Sequence, residues 1–204
     1  MTLNVSDLTV VRGGVPVLAD LSFSVAEGQA LVLRGPNGIG KTTLLRTLAG
    51  LQPALKGSVD YAEDTGAYAS HADGIKGQLS VKENLAFWAE IYGNSADESV
   101  YEAFDLVDLK DRIAGTLSSG QKRRLGLARL GVVGRKVLFL DEPTVSLDGF
   151  SVKLFARWLS EDHLAKGGIA VIATHIDLGI EAPELELAPF KAAPDAASSD
   201  EAFL

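Results

Sequence analysis

Gly35-Pro36-Asn37-Gly38-Ile39-Gly40-Lys41-Thr42 narrows what this chain can fold into more than any other stretch. It fits the pattern G-x-x-x-x-G-K-[ST]. The apolar run Ala30-Leu31-Val32-Leu33 reads as a buried strand feeding the loop, and residues 42–49 read as a helix leaving it. Strand, glycine loop and helix in that order imply an α/β domain. The glycines let successive backbone N–H groups turn toward one centre. The helix N-terminus adds its partial positive charge, so phosphate oxygens are the fitting guest. Gly35, Pro36, Asn37, Gly38, Ile39 and Gly40 would line the cradle, with Thr43 beside them. Lys41 would reach β- and γ-phosphates, and the Thr42 hydroxyl would hold Mg²⁺. A plain glycine turn is the competing reading, and the strand and helix flanks oppose it.

A chain of 204 residues suffices for one well-buried domain with a small subdomain. A net charge of −8 argues against a nucleic-acid partner, although Lys122-Arg123-Arg124 is a local basic patch. There is no cysteine, which removes disulfides, thiolate metal sites and cysteine nucleophiles. No signal-peptide pattern or bilayer-length apolar run is visible. A cytosolic protein is expected, reaching a membrane only through a partner.

Along the chain, Leu3, Val5 and Leu8 lead to a turn at Arg12-Gly13-Gly14, and Leu21, Phe23 and Val25 alternate with small residues as in a half-buried strand. Short strands are expected at 58–61 and 67–70. Ser80-Val81-Lys82-Glu83 is a capping box, and Val81, Leu85, Trp88 and Tyr92 follow at helical spacing. A second helix is expected over 98–109. Residues 74–116 thus read as a helical insert, with Phe87 and Trp88 packing as core rather than as a docking face. Another helix follows Gly120, then the buried strand 136–140, a helix over 151–159, an apolar strand 169–174 and a short strand 185–187. Strand–helix alternation implies a mostly parallel sheet. The expected domain is 1–190, and the Ala-, Ser- and acid-rich tail 191–204 is expected to be flexible.

Three more motifs follow the loop in order: Leu117-Ser118-Ser119-Gly120-Gln121; the apolar strand ending in Asp141-Glu142-Pro143-Thr144; and His175 after strand 169–174. Together with the loop they resemble the ATP-binding-cassette (ABC) ATPase family over nearly the whole chain. A carboxylate ending a strand beside the loop can hold the Mg²⁺ shell, which suits Asp141. The resemblance implies a P-loop ABC core with a mixed or parallel sheet, an N-terminal antiparallel part and an inserted helical subdomain. It also implies that Glu142 acts as general base toward water, and that His175 touches the γ-phosphate and positions that water. Ser118, Ser119, Gly120 and Gln121 start a helix and form a second anion site. One chain cannot wrap both sites around the same phosphate. The family solves this with a head-to-tail dimer sharing two ATP molecules, and Ser146-Leu147-Asp148 matches the loop that crosses that interface.

Three departures from the family pattern stand out. Ser119 replaces the usual glycine at the third signature position. Arg12 stands where an aromatic usually stacks on adenine; a guanidinium can stack too, or Arg12 is a solvated turn residue. His71 stands where a Gln usually touches Mg²⁺ or water; an imidazole can accept or donate there and titrates near neutral pH. The short length, the Arg–Gly–Gly turn, the run His71-Ala72-Asp73-Gly74-Ile75-Lys76 and Leu-Ser-Ser-Gly-Gln are similar to one branch, the ATP-binding subunits of cytochrome c maturation haem exporters. That branch implies a bacterial protein peripheral to the cytoplasmic face of the inner membrane, driving integral-membrane subunits. Direct haem binding is not expected, since there is no CxxCH and no paired His. The rivals are a cassette exporting a lipid or drug, a soluble ATP-gated clamp on ribosomes or DNA, and a small P-loop kinase.

Overall fold

The computed structural model describes residues 1–70, 72, 74–145 and 147–193. His71, Ser146 and nearly all of the expected tail therefore lie outside the described residues. The chain opens with β1 (Thr2–Arg12) and β2 (Val15–Ala26), paired antiparallel. Gly13 and Gly14 join them with φ of 60° and 85°. Two positive φ angles in a two-residue loop are the geometry that matches the strand twist, and glycine adopts it without strain. β4 (Lys56–Asp60) lies on the other side of β1, giving a three-stranded sheet in the order β2-β1-β4.

β3 (Ala30–Arg34), β5 (Gly66–Ala69), β6 (Val137–Asp141), β7 (Ile169–Ala173) and β8 (Glu184–Glu186) form a second sheet. Its order is β5-β6-β7-β3-β8, and every pairing is parallel. Parallel strands are covered on both faces, which is why β6 and β7 are apolar almost throughout. Val137, Phe139, Ile169 and Val171 face one cluster, with Leu44, Leu45 and Leu48 of α1 (Lys41–Leu48) and the inner side of the antiparallel sheet. Leu138, Leu140, Ala170 and Ile172 face the other, with α2 (Val81–Ile91), α4 (Ser119–Val133) and α5 (Gly149–Trp158). The side-chain period of two sorts alternate residues into two cores.

The insert departs from expectation at one point. α3 covers only Glu98–Ala103, and a 3₁₀ turn follows at Val107–Leu109, instead of one helix over 98–109. Asp105 has φ 51°, a left-handed backbone that ends the helix while leaving the apolar spacing intact. Ser80 and Glu83 do form the capping box of α2, and the backbone N–H of Ser80 holds the Glu83 carboxyl below its ordinary pKa. Trp88 packs partly buried against the helical core, and Phe87 meets it edge-on at 5.4 Å. Past α5 the chain runs on as a π-helical stretch over Leu159–Leu164. Among the described residues no helix is long and apolar enough to cross a membrane.

Candidate active site

Three neighbouring strands end on one rim of the parallel sheet. β3 runs into the glycine loop, β6 ends in Asp141 and β7 leads to His175, with β7 between the other two. The carboxyl edge is where parallel sheets present binding loops. Gly40 precedes α1 with φ 122°, and no side chain caps that helix. A Cβ at Gly40 would stand 3.2 Å from Leu18 Cδ1, so the close approach of loop and β2 also asks for glycine.

Lys41 is 8% exposed. Its Nζ donates to Gly35 O at 2.7 Å and Pro36 O at 3.4 Å, and lies 3.3 Å from His175 Nε2. That ring nitrogen is also 3.0 Å from Asn37 Oδ1 and 3.4 Å from Glu142 Oε1. One nitrogen cannot serve all three. Carrying hydrogen it donates to Asn37 or Glu142; without hydrogen it accepts from Lys41. The arrangement joins the loop, the acidic strand end and the histidine in one polar contact.

Asp141 and Glu142 are adjacent in sequence but differently held. Asp141 continues the alternation of Val137 and Phe139, so it falls on the α1 side of the sheet, and it is only 6% exposed. Tyr68 Oη donates to its Oδ2 at 3.2 Å. Glu142 turns out of the strand with φ 49°, a conformation costing a non-glycine residue about 1–3 kcal/mol. Its N–H donates to Ala173 O at 2.8 Å, which pins the turn to β7. Arg34, at the end of β3, donates to Thr174 O at 2.6 Å and braces the residue before His175.

A cleft of about 160 Å³ gathers Lys41, Thr42, Thr43, Asp141 and Glu142 with Asn37, Gly38 and Gly40. Arg12, the exposed last residue of β1, lines the same cleft. The expected metal donors therefore share one space. A hydroxyl and a carboxylate are hard oxygen donors, and Mg²⁺ is usually held by one or two such groups together with substrate phosphates.

Ser118, Ser119, Gly120 and Gln121 are not among the residues lining this cleft. They form the first turn of α4, where Ser118 Oγ accepts from Gln121 N at 3.3 Å and Gln121 Oε1 accepts from Ser118 N at 3.0 Å. This is a second capping box, legible as Ser-x-x-Gln by the same rule that finds Ser80-x-x-Glu. Ser118 and Ser119 are exposed, and a Cβ at Gly120 would meet nothing within 4 Å. A serine in place of glycine at position 119 is thus accommodated on the surface. Asp148 caps α5, accepting from Ser151 N at 2.7 Å, a bond that holds its carboxyl below the usual range.

Comparison with known proteins gives a consistent result. Residues 18–145 match the ABC transporter family. The chain is 61% identical to the cytochrome c biogenesis ATP-binding export protein CcmA of Roseobacter denitrificans, covering 100% of both chains. It is 62% identical to the protein of the same name from Rhodobacter capsulatus, over 94% of this chain and 90% of that one. A solved structure described as an ABC transporter ATP-binding protein from Pyrococcus furiosus superposes with a TM-score of 0.83 at 26% identity, covering 94% of this chain and all of that one. The matched span takes in the glycine loop, the signature turn of α4 and the Asp141-Glu142 strand end, and on these grounds the chain belongs to the ABC transporter family, as an ATP-binding subunit that hydrolyses ATP.

Proposed function

We propose that this ATPase powers an integral-membrane exporter in cytochrome c biogenesis, with haem as cargo, from the cytoplasmic face of a bacterial inner membrane. The relatives' shared name for cytochrome c biogenesis and export supports the pathway. The observation carrying the mechanism is the division of the chain's anion-binding parts. The rim of β3, β6 and β7 collects Lys41, Asp141, Glu142 and His175, whereas the signature turn opens elsewhere.

Two copies then share each triphosphate. The loop residues 35–40, Thr42 and Thr43 hold its phosphates through backbone N–H groups, and Lys41 turns from its loop carbonyls to the β- and γ-oxygens. Thr42 and Asp141 would hold Mg²⁺, which would supply neutralisation of phosphate charge. Glu142 takes the proton of the attacking water, and His175 orients that water against the γ-phosphate. Ser118, Ser119, Gly120 and Gln121 of a second copy close the site and stabilise the developing charge. Arg12, already in the cleft, stacks on the base. His71, standing in sequence where the family carries a Gln, takes that residue's role toward Mg²⁺ or water and, with the 74–116 insert, passes closure to the membrane subunits. The catalytic unit is 1–190, with 191–204 as an accessory tail. Neither nucleic acid nor haem is a ligand of this subunit.

The test is purification from detergent-solubilised membranes. Recovery with an integral-membrane partner that absorbs in the haem Soret region supports the proposal. Recovery with ribosomes, or with a haem-free partner that carries lipid or drug, overturns the cargo assignment.

A further inference from the structure

The signature helix and the catalytic turn are joined by one buried side chain. Arg123 lies one turn into α4 and is 4% exposed. Its Nη2 donates to Glu142 O at 3.1 Å and its Nε to Pro143 O at 3.0 Å. Its Nη1 donates to Ser70 O at 3.3 Å, at the end of β5. A planar guanidinium fixes all these acceptors relative to one another, which a lysine cannot do.

The acceptor that matters most is Glu142. It precedes Pro143, and a residue before proline prefers an extended backbone. Here it is left-handed at φ 49°, with its N–H on Ala173 and its carbonyl on Arg123. Both ends of the residue are tied, and that conformation keeps Oε1 beside His175. At the other end of the link, Ser118 stands five residues earlier, about 7 Å along a rigid helix.

We propose that Arg123 is a positioning residue that couples the two nucleotide sites of the dimer. A displacement of Ser118, Ser119, Gly120 and Gln121 on closing against a nucleotide held by the second copy moves α4. Arg123 carries that movement to the carbonyl of this chain's own Glu142, so each copy sets its catalytic carboxylate according to the state of the opposite site. The inference rests on the shared-site reading proposed above.

The experiment uses the protein purified with its membrane subunits, as wild type, Arg123→Met and Arg123→Lys. ATP affinity is read with a fluorescent ATP analogue, and hydrolysis is followed across ATP concentrations. Affinity is expected to stay within about 2-fold, while kcat falls by about 10- to 100-fold in Arg123→Met. The Hill coefficient is expected to drop from above 1 toward about 1. Arg123→Lys, which keeps charge and stem and serves as the second variant if the methionine one does not fold, should show the same loss of cooperativity with a smaller loss of kcat. Wild-type kcat and Hill coefficient in a folded variant would overturn the proposal. A fall in kcat with unchanged cooperativity would leave Arg123 a local brace and overturn the coupling. The shared-site reading is checked separately by ATP-dependent dimerisation of Glu142→Gln on gel filtration. A monomer there removes that reading and the coupling with it, while the kcat effect of Arg123 remains measurable.

Discussion

Tyr68 in β5 donates its phenolic hydrogen across the strand pair to Asp141 Oδ2 in β6, at 3.2 Å. Burial, and then the neighbouring Asp141 carboxylate, push the phenol pKa up to about 12, so Tyr68 remains a donor throughout the working range. The bond fixes one oxygen of a carboxylate that lines the cleft. Tyr68→Phe should weaken Mn²⁺ binding in the ATP complex by about 10-fold, measured by electron paramagnetic resonance, and leave metal-free nucleotide affinity unchanged. Equal Mn²⁺ affinity in the two proteins would show that Asp141 needs no such partner.

Two serines cap two helices in the same way but should differ in consequence. Ser80→Ala and Ser118→Ala each remove a bond from a helix start, and each should cost about 1 kcal/mol in denaturant unfolding. Only Ser118→Ala should also reduce turnover, because only that turn is proposed to meet nucleotide. Matching turnover in both variants would contradict the role given to the signature.

Lys41 and Glu142 separate binding from chemistry. Loss of a charged hydrogen bond costs about 1.5–3 kcal/mol, and Lys41 is expected to make two to phosphate, so Lys41→Ala should lower ATP affinity by about 100-fold or more. Glu142→Gln should bind ATP as wild type does and persist as a dimer on gel filtration. Wild-type turnover in Glu142→Gln would remove Glu142 as the base.

His163 makes stability depend on pH. Its ring stacks on Trp158 at 5.8 Å and bonds Ile169 O through Nε2 at 3.1 Å. Burial lowers its pKa, outweighing the opposing pull of the Ile169 and Lys136 carbonyls. Below the unfolded value, about 6.5, the unfolded chain takes up a proton that the folded chain refuses, so stability falls as pH falls. The urea midpoint should drop between pH 7.5 and 5.5, and His163→Phe should show a smaller drop. An equal drop in both would place the dependence elsewhere.

Motifs that carry their own geometry were legible. The glycine loop, the apolar strand ending in Asp141 and the histidine after β7 state backbone shape and chemistry together, and the structure places them on one rim. The break at Asp105 was not legible, because apolar spacing records which face is buried and is blind to a single left-handed residue. The Ser118–Gln121 reciprocity was legible but hidden beneath the signature reading of the same residues. Arg123 and Tyr68 gave no signal at all. An arginine in a basic trio reads as solvated, and only the fold reveals that it is buried against carbonyls from distant segments.

The side on which the acid ending β6 emerges is a matter of parity. Alternate residues of that strand look into opposite cores, and Asp141 takes its side from Val137 and Phe139. Inserting or deleting one residue upstream would keep every letter of the motif yet send the aspartate among the helices, away from Thr42. An insertion of two would preserve the direction and change only the reach. Sequence variants of this protein should therefore tolerate length changes in β6 by even numbers sooner than by odd ones.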